Sequence, residues 1–135
     1  MKLKIGFTCS AFDLFHAGHV EMLRECKNQC DYLIVGLHRD PRTDRPEKKS
    51  PVQSLYERYV QLRGCKFVDE VIPYDSEDDL INIMGIEPIT HRFVGVEYKD
   101  TYITGQDICD KRNIEIIYNT RDHHYSTSEL RSRIS

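Results

Sequence analysis

The sequence predicts a doubly wound α/β fold, in which helices cover both faces of a parallel five-stranded sheet. Three observations support this prediction. Strand-like and helix-like segments alternate along the chain, and the chain of 135 residues suits one core. Residues 32–37 are almost continuously apolar, which is typical of a parallel strand covered on both faces.

The first elements follow from these patterns. A strand is predicted over residues 2–8, a helix over 17–27 and a second strand over 32–37. Segment 39–49 is polar, contains two prolines and carries many charges. It is too long and polar for a simple connector, so we interpret it as an active-site loop.

Capping patterns predict where the next helices begin. Ser50 is a suitable cap, Pro51 suits the first helical position and Gln53 completes a capping box. The second helix is therefore predicted to begin there. Ser76 is predicted to cap a third helix that runs to about Met84.

The remaining segments continue the alternation. Strands are predicted over 68–74, 92–96 and 114–118, with a helix near 105–112. A capping box over 126–129 predicts a C-terminal helix. Ligands of such sheets bind beyond the carboxyl ends of the strands, so the loops at that edge are expected to carry the chemistry.

Composition narrows the classes of function. Residues 1–135 are predicted to form a single Rossmann-like domain, with 39% hydrophobic residues and a net charge of −3. This charge disfavours a general nucleic-acid or membrane-surface binder. No apolar run approaches the roughly 20 residues that cross a bilayer. The start of the chain also lacks the apolar run of a secretory signal, so we expect a cytoplasmic protein.

The chain contains five cysteines. Because the number is odd, we interpret them as reduced thiols in a reducing compartment. Cys26 and Cys30 are four residues apart on one predicted helix face, which would also suit half of a metal site. Ordinary core or surface positions are the preferred interpretation, and no metal site is predicted.

The strongest functional signal is the segment Phe-Asp-Leu-Phe-His-Ala-Gly-His at 12–19, directly after the first strand. His16 and His19 can project from one side of a helix start, where free N–H groups and the helix dipole suit phosphate. Gly18 allows a ligand close to the backbone. Ordinary helix-start histidines and a metal pair are the alternatives, although the spacing shows no third ligand. Two imidazoles beside a triphosphate can donate to the charge that develops during phosphoryl transfer.

This motif resembles the Phe-Asp-x-x-His-x-Gly-His signature of the cytidylyltransferase-like nucleotidyltransferases. The chain is most similar to the glycerol-3-phosphate type, and the similarity includes 31–36, 57–58 and 68–73. The resemblance implies transfer of CMP from CTP to a small phosphorylated alcohol such as glycerol 3-phosphate, with release of pyrophosphate. It also implies a homodimer. The acceptor phosphate has a second pKa of about 6, so it needs no general base to attack.

A second motif lies at 121–128, where Arg121 and Ser126 keep the separation found in the family's Arg-Thr-x-Gly-Ile-Ser-Thr segment. Ser126 and Thr127 are predicted to begin a helix, so their hydroxyl and N–H groups can hold a phosphate. The guanidinium of Arg121 can add a bidentate hydrogen-bonded contact to the phosphate. The alternative is that Ser126 is only a helix cap.

The resemblance also implies a lysine in the polar loop and an arginine in the following helix, both close to the phosphates. Lys49 is the preferred match for the lysine and Lys48 the alternative, while Arg58 matches the arginine. For the lysines, a solvated surface is the competing interpretation.

Roles follow from these matches. The catalytic set is His16, His19, Lys49 and Arg121. Asp13 is assigned either to orienting a histidine or to placing Mg²⁺, which is expected as the partner of the triphosphate. The predicted nucleotide-binding residues are Ser10, Ala11, Phe12, Asp13, His16, His19, Lys49, Arg58, Glu97, Arg121, Ser126 and Thr127.

The chain departs from the family pattern at several points. Ser10 and Ala11 replace a Gly-Thr or Gly-Val pair, and 95–98 replaces Gly-Asp-Asp-Trp, where Glu97 keeps part of the acidic character. The turn 121–125 contains no glycine. An adenylyltransferase that uses ATP and a non-catalytic nucleotide sensor therefore remain as alternatives. A flavodoxin-like module shares the alternating pattern but does not explain the two histidines.

Overall fold

The computed structural model describes residues 2–120 and 132–134. Its strands are β1 (Ile5–Ser10), β2 (Tyr32–His38), β3 (Glu70–Tyr74), β4 (His91–Gly95) and β5 (Glu115–Asn119). Its helices are α1 (Ala17–Lys27), α2 (Leu55–Arg63), α3 (Glu77–Ile86) and α4 (Gln106–Arg112), with short 3-10 helices at Pro41–Thr43 and Val96–Tyr98.

The strands form one sheet in the order β3-β2-β1-β4-β5, and all neighbouring pairs are parallel. The chain winds from β1 to β3 in one direction and then returns to add β4 and β5 on the other side of β1. The topological switch point therefore lies between β1 and β4. The predicted doubly wound α/β fold is confirmed.

Helices on both faces explain why β2 is apolar throughout. Leu33 and Val35 pack into one cluster with Leu23 of α1 and Leu62 of α2. Ile34 points to the opposite face, into a second cluster that includes residues of α3 and α4. Because alternate side chains of a strand face opposite sides, a strand covered on both faces has no solvent side on which polar residues would be favoured.

The start of α2 differs from the prediction. Its N-cap is Ser54, not Ser50: the Ser54 hydroxyl accepts from the N–H of Glu57, whose carboxylate accepts from the N–H of Ser54. Two capping patterns overlap in the sequence, and the later one forms. The side chain of Gln53 contacts the loop before α1 instead, and its Oε1 accepts a hydrogen bond from the N–H of Leu14 at 2.9 Å.

The polar loop 39–49 is anchored on the start of α3. The Asp44 carboxylate accepts from the N–H of Glu77 at 2.9 Å, a favourable position for an anion at a helix N-terminus. Arg45 forms an ion pair of 3.3 Å with the Glu77 side chain. These contacts keep the loop beside the carboxyl edge of the sheet.

Cys26 and Cys30 are engaged within the protein. Cys26 is buried, and its Sγ accepts from Nδ2 of Asn119 at 3.2 Å. The Cys30 thiol donates to the Cys26 carbonyl at 3.4 Å. Burial raises the pKa of Cys26 to about 12, and so keeps it in the thiol form, whereas a metal ligand must be a thiolate. Among the described residues, no group of three or more His, Cys, Asp or Glu side chains could hold a metal ion.

A membrane-spanning helix would need a long apolar segment. None of the helices within residues 2–120 and 132–134 is long and apolar enough to cross a membrane.

Candidate active site

A cavity of about 500 Å³ opens at the carboxyl edge of the sheet. Its wall includes His16, Gly18 and His19 at the start of α1, Lys48 of the polar loop, and Arg92 of β4. Parts of the wall therefore come from both sides of the switch point between β1 and β4. The site lies where the sequence predicts it, because loops from neighbouring parallel strands meet at this edge.

The two histidines form a reciprocal cap at the start of α1. His16 is the N-cap, and its Nδ1 accepts from the N–H of Gly18 at 2.9 Å. The Nδ1 of His19 accepts from the N–H of His16 at 3.2 Å, and the ring centroids are 4.1 Å apart. Because each Nδ1 is an acceptor, each neutral ring carries its proton on Nε2. Both rings that line the cavity thus have an Nε2–H donor.

The environment of His19 keeps it neutral. Its ring stacks on Phe15 at 5.4 Å between centroids and packs against Phe12 at 5.5 Å. Burial, followed by the nearby His16, lowers the pKa of His19 to about 4, although Asp13 acts in the opposite direction. At neutral pH His19 is therefore an uncharged hydrogen-bond donor.

In an NMR pH titration, the His19 ring is expected to titrate near pH 4 instead of near its ordinary value of 6.5. Since the folded state has the lower pKa, the unfolded state binds more protons between these two values. The free energy of unfolding should therefore fall as the pH drops from 6.5 towards 4. The fall should be shallower in His19→Gln. A His19 midpoint near 6.5 in the folded protein would contradict this assignment.

The motif loop before α1 has an unusual backbone. Phe12 and Leu14 have positive φ angles of 49° and 51°, a conformation that is costly for residues with bulky side chains. The Asp13 carboxylate between them accepts from the N–H groups of Val52 and Gln53 at 2.8 and 3.0 Å. These contacts give Asp13 the role of holding the motif loop against the segment that leads into α2. They show neither of the two roles that we assigned to it from the sequence.

Arg58 does not take the position expected from the resemblance. Its guanidinium is buried and donates to the carbonyls of Gln53, Ala11, His38 and Arg39 at 2.7–3.2 Å. It is not part of the cavity wall. Arg58 therefore ties together the loops that follow β1 and β2 beneath the site, and its contacts give no support to a direct role at the phosphates.

The other predicted residues either line the cavity, lie away from its wall, or fall outside the described residues. Lys48, the alternative lysine, lines the cavity, whereas Lys49, the preferred one, does not. Phe12 lies beneath the cavity against His19. Ser10, Ala11 and Glu97 line the cavity, and their contacts to a nucleotide stay predictions. Arg121, Ser126 and Thr127 lie outside the described residues, so their phosphate contacts stay predictions.

Sequence reasoning missed Arg92 and Asn119. Both are buried, with 4% and 6% of their surface exposed, and both line the cavity. Each lies in a strand that is otherwise largely apolar. A polar residue in such a strand is costly to bury without a partner, and this was the signal that could have identified them.

Comparison with known proteins agrees with the motif and the fold. Residues 7–133 match the family model described as cytidylyltransferase-like. A probable ethanolamine-phosphate cytidylyltransferase of Encephalitozoon cuniculi is 41% identical over 92 residues, which cover 67% of this chain and 29% of that protein. The bifunctional protein HldE of Campylobacter jejuni subsp. jejuni is 36% identical over 132 residues, which cover 97% of this chain and 28% of that protein.

A solved structure shares the fold. The lipopolysaccharide core biosynthesis protein from Thermoplasma volcanium superposes with a TM-score of 0.70 at 21% identity, covering 92% of this chain and 100% of that chain. The chain spans less than a third of the curated relatives named above, at 29% and 28% of their lengths. With a family match over residues 7–133, the chain belongs to the cytidylyltransferase-like family.

Proposed function

We propose that the chain transfers CMP from CTP to a small phosphorylated alcohol and releases pyrophosphate. The reciprocal pair of His16 and His19 is the observation that carries this proposal, because it provides two Nε2–H donors at a helix N-terminus in the cavity. Relatives named ethanolamine-phosphate cytidylyltransferase support a phosphorylated small alcohol as the acceptor class. Glycerol 3-phosphate is the acceptor suggested by the sequence resemblance.

The reaction needs no covalent intermediate. An oxygen of the acceptor phosphate, largely ionised above its second pKa of about 6, attacks the α-phosphorus of CTP. The new bond joins this oxygen to the α-phosphorus, the bond from the α-phosphorus to the bridging oxygen breaks, and pyrophosphate leaves with the electron pair. His16 and His19 donate to the α-phosphate oxygens, where negative charge increases. A neutral His19 suits this role because it donates without giving up its proton.

Mg²⁺ is proposed as the partner of the triphosphate. In nucleotide sites Mg²⁺ is usually held by phosphate oxygens and water, with few protein ligands, and this supports the proposal. The ion neutralises charge on the phosphates.

Because Arg121, Ser126 and Thr127 match the cytidylyltransferase segment, CTP with Mg²⁺ is expected to bind more tightly than ATP with Mg²⁺. By mass action it should then raise the melting temperature more. Thermal unfolding with each nucleotide, followed by pyrophosphate release with glycerol 3-phosphate and ethanolamine phosphate, checks this. A larger shift with ATP would assign the protein to the adenylyltransferases. Binding of CTP without pyrophosphate release from any acceptor would indicate a nucleotide sensor.

The proposal extends to assembly and location. We propose a homodimer in the cytoplasm, on the basis of the sequence resemblance and the chain's composition. The net charge of −3 disfavours a nucleic-acid partner. Light scattering coupled to size-exclusion chromatography measures the oligomeric state directly.

A further inference from the structure

Arg92 is a buried cation whose hydrogen bonds are incomplete. Its side chain lines the cavity with only 4% of the residue exposed. Nη1 donates to the carbonyl of Thr104, but Nε is buried and has no hydrogen-bond partner. Within residues 2–120 and 132–134, no carboxylate forms an ion pair with Arg92.

A comparison with Arg58 shows how unusual this arrangement is. Arg58 is similarly buried, at 2% exposure, but four carbonyls accept from its guanidinium and it lies outside the cavity wall. Buried charges are normally paired or fully hydrogen-bonded, since a charge that is removed from water without a compensating partner is strongly destabilising. Arg58 meets this condition within the protein. Arg92 does not meet it, and because its side chain lines the cavity, an anionic ligand there would offset the unpaired charge.

The position of Arg92 in the cavity indicates which anionic ligand it would bind. Its guanidinium lies near Met84 and Cys109, which belong to the core cluster on the α3 and α4 side of the sheet. His16 and His19 begin α1, which packs on the opposite face. The cavity therefore has donor groups on two sides. The helix N-terminus and the histidines suit the triphosphate, and Arg92, on the other side of the cavity, is available to the second anionic substrate.

We propose that Arg92 binds the phosphate of the acceptor substrate. This assignment rests on the proposed function, in which that phosphate is the nucleophile. A guanidinium binds two phosphate oxygens with its planar fork, and this leaves the third oxygen to attack the α-phosphorus. Alignment of this kind lowers the barrier by fixing the reacting atoms in position.

The side-chain Nε–H resonance of Arg92 tests the contact without any turnover. It can be assigned in wild-type protein by correlation to the backbone of Arg92. Addition of inorganic phosphate is expected to shift this resonance, because an anion bound at the guanidinium changes the electrostatic environment of the Nε–H. The resonance of Arg112, whose Nη1 donates to the carbonyls of Met84 and Glu87, should stay in place. An Arg92 resonance that does not move at millimolar phosphate would overturn the proposal, whether phosphate binds elsewhere or not at all.

Kinetics provide a second test that separates the acceptor from the nucleotide. Arg92→Lys keeps the positive charge but loses the planar guanidinium that can bind two oxygens. KM for the phosphorylated acceptor should therefore rise about 10- to 100-fold, as expected for loss of a charge-assisted hydrogen bond. KM for CTP should change far less. Arg112→Lys, which alters an arginine outside the cavity wall, is the matched control and should change neither constant.

The outcomes distinguish this proposal from the proposed function. An Arg92→Lys variant that raises KM for CTP as much as KM for the acceptor would overturn the assignment to the acceptor. If the wild-type protein releases no pyrophosphate from CTP with any acceptor, the proposed function fails. The phosphate titration then still decides whether Arg92 is an anion site. If Arg92→Lys does not fold, the wild-type spectrum still gives the answer.

Discussion

Replacing His19 by alanine is expected to lower kcat about 100- to 1,000-fold, the usual effect of removing one preorganised donor. The dissociation constant of CTP should change far less, because the lost hydrogen bond strengthens only as charge develops in the transition state. Alanine carries no donor, whereas the side-chain amide of glutamine would keep two N–H groups. His19 is the third residue of α1 and accepts from the N–H of His16, so loss of this bond should also lower the stability slightly.

The same logic applies at the N-cap. His16→Ser keeps a good capping residue, but its short hydroxyl cannot place a donor where the Nε2–H lies, so it should also reduce kcat with little change in stability. His91→Gln is the control, since His91 lies at the start of β4 beside Glu115 and outside the cavity wall. Stopped assays of pyrophosphate release and nucleotide titrations measure both constants. Near-normal turnover in both His16 and His19 variants would show that the motif is structural and that the proposed mechanism is wrong.

Replacing Arg58 by methionine is expected to lower the free energy of unfolding by at least about 3 kcal/mol. Methionine fills much of the space, but the carbonyls of Gln53, Ala11, His38 and Arg39 lose their donor. Each buried acceptor left unpaired costs about 1–3 kcal/mol, and access of water to some of them would reduce the sum. Urea unfolding of both proteins measures the difference.

Arg63→Met is the matched control, because Arg63 is an exposed residue at the end of the same helix. Its loss should cost less than about 1 kcal/mol. Equal stability of Arg58→Met and the wild type, together with weaker CTP binding, would restore the role at the phosphates that the resemblance implied for Arg58.

Much of the fold was predictable because it depends on local patterns. The bounds of α1 agree with the prediction at Ala17–Lys27, and Ser76 caps α3 through a reciprocal bond with Asp79. The error at the start of α2 arose where two capping patterns overlap. Glu57 completes the later pattern, whereas the side chain of Gln53 bonds to the motif loop. A contact between distant segments decided between the two patterns.

The candidate site was predictable to a similar degree. The two histidines form a recognisable motif because both their spacing and their caps are local. The sequence favoured Lys49, but Lys48 is the lysine that lines the cavity, since the path of a polar loop depends on its anchor, here Asp44 at the start of α3. Arg92 was not identified, because the sequence does not show which hydrogen-bond partners a strand arginine finds in the fold.

The sequence by itself determined the alternation of elements, the parallel sheet and the position of the histidine motif at the start of α1. These features follow from hydrophobic periodicity and from capping within a few residues. Only the tertiary structure decided what the two buried arginines do. Arg58 is satisfied by four carbonyls brought together from separate segments, whereas the Nε of Arg92 is buried without a hydrogen-bond partner. Burial and hydrogen-bond partners arise from chain segments far apart in sequence, so the same residue type has a full set of hydrogen bonds in one place and an incomplete set in the other.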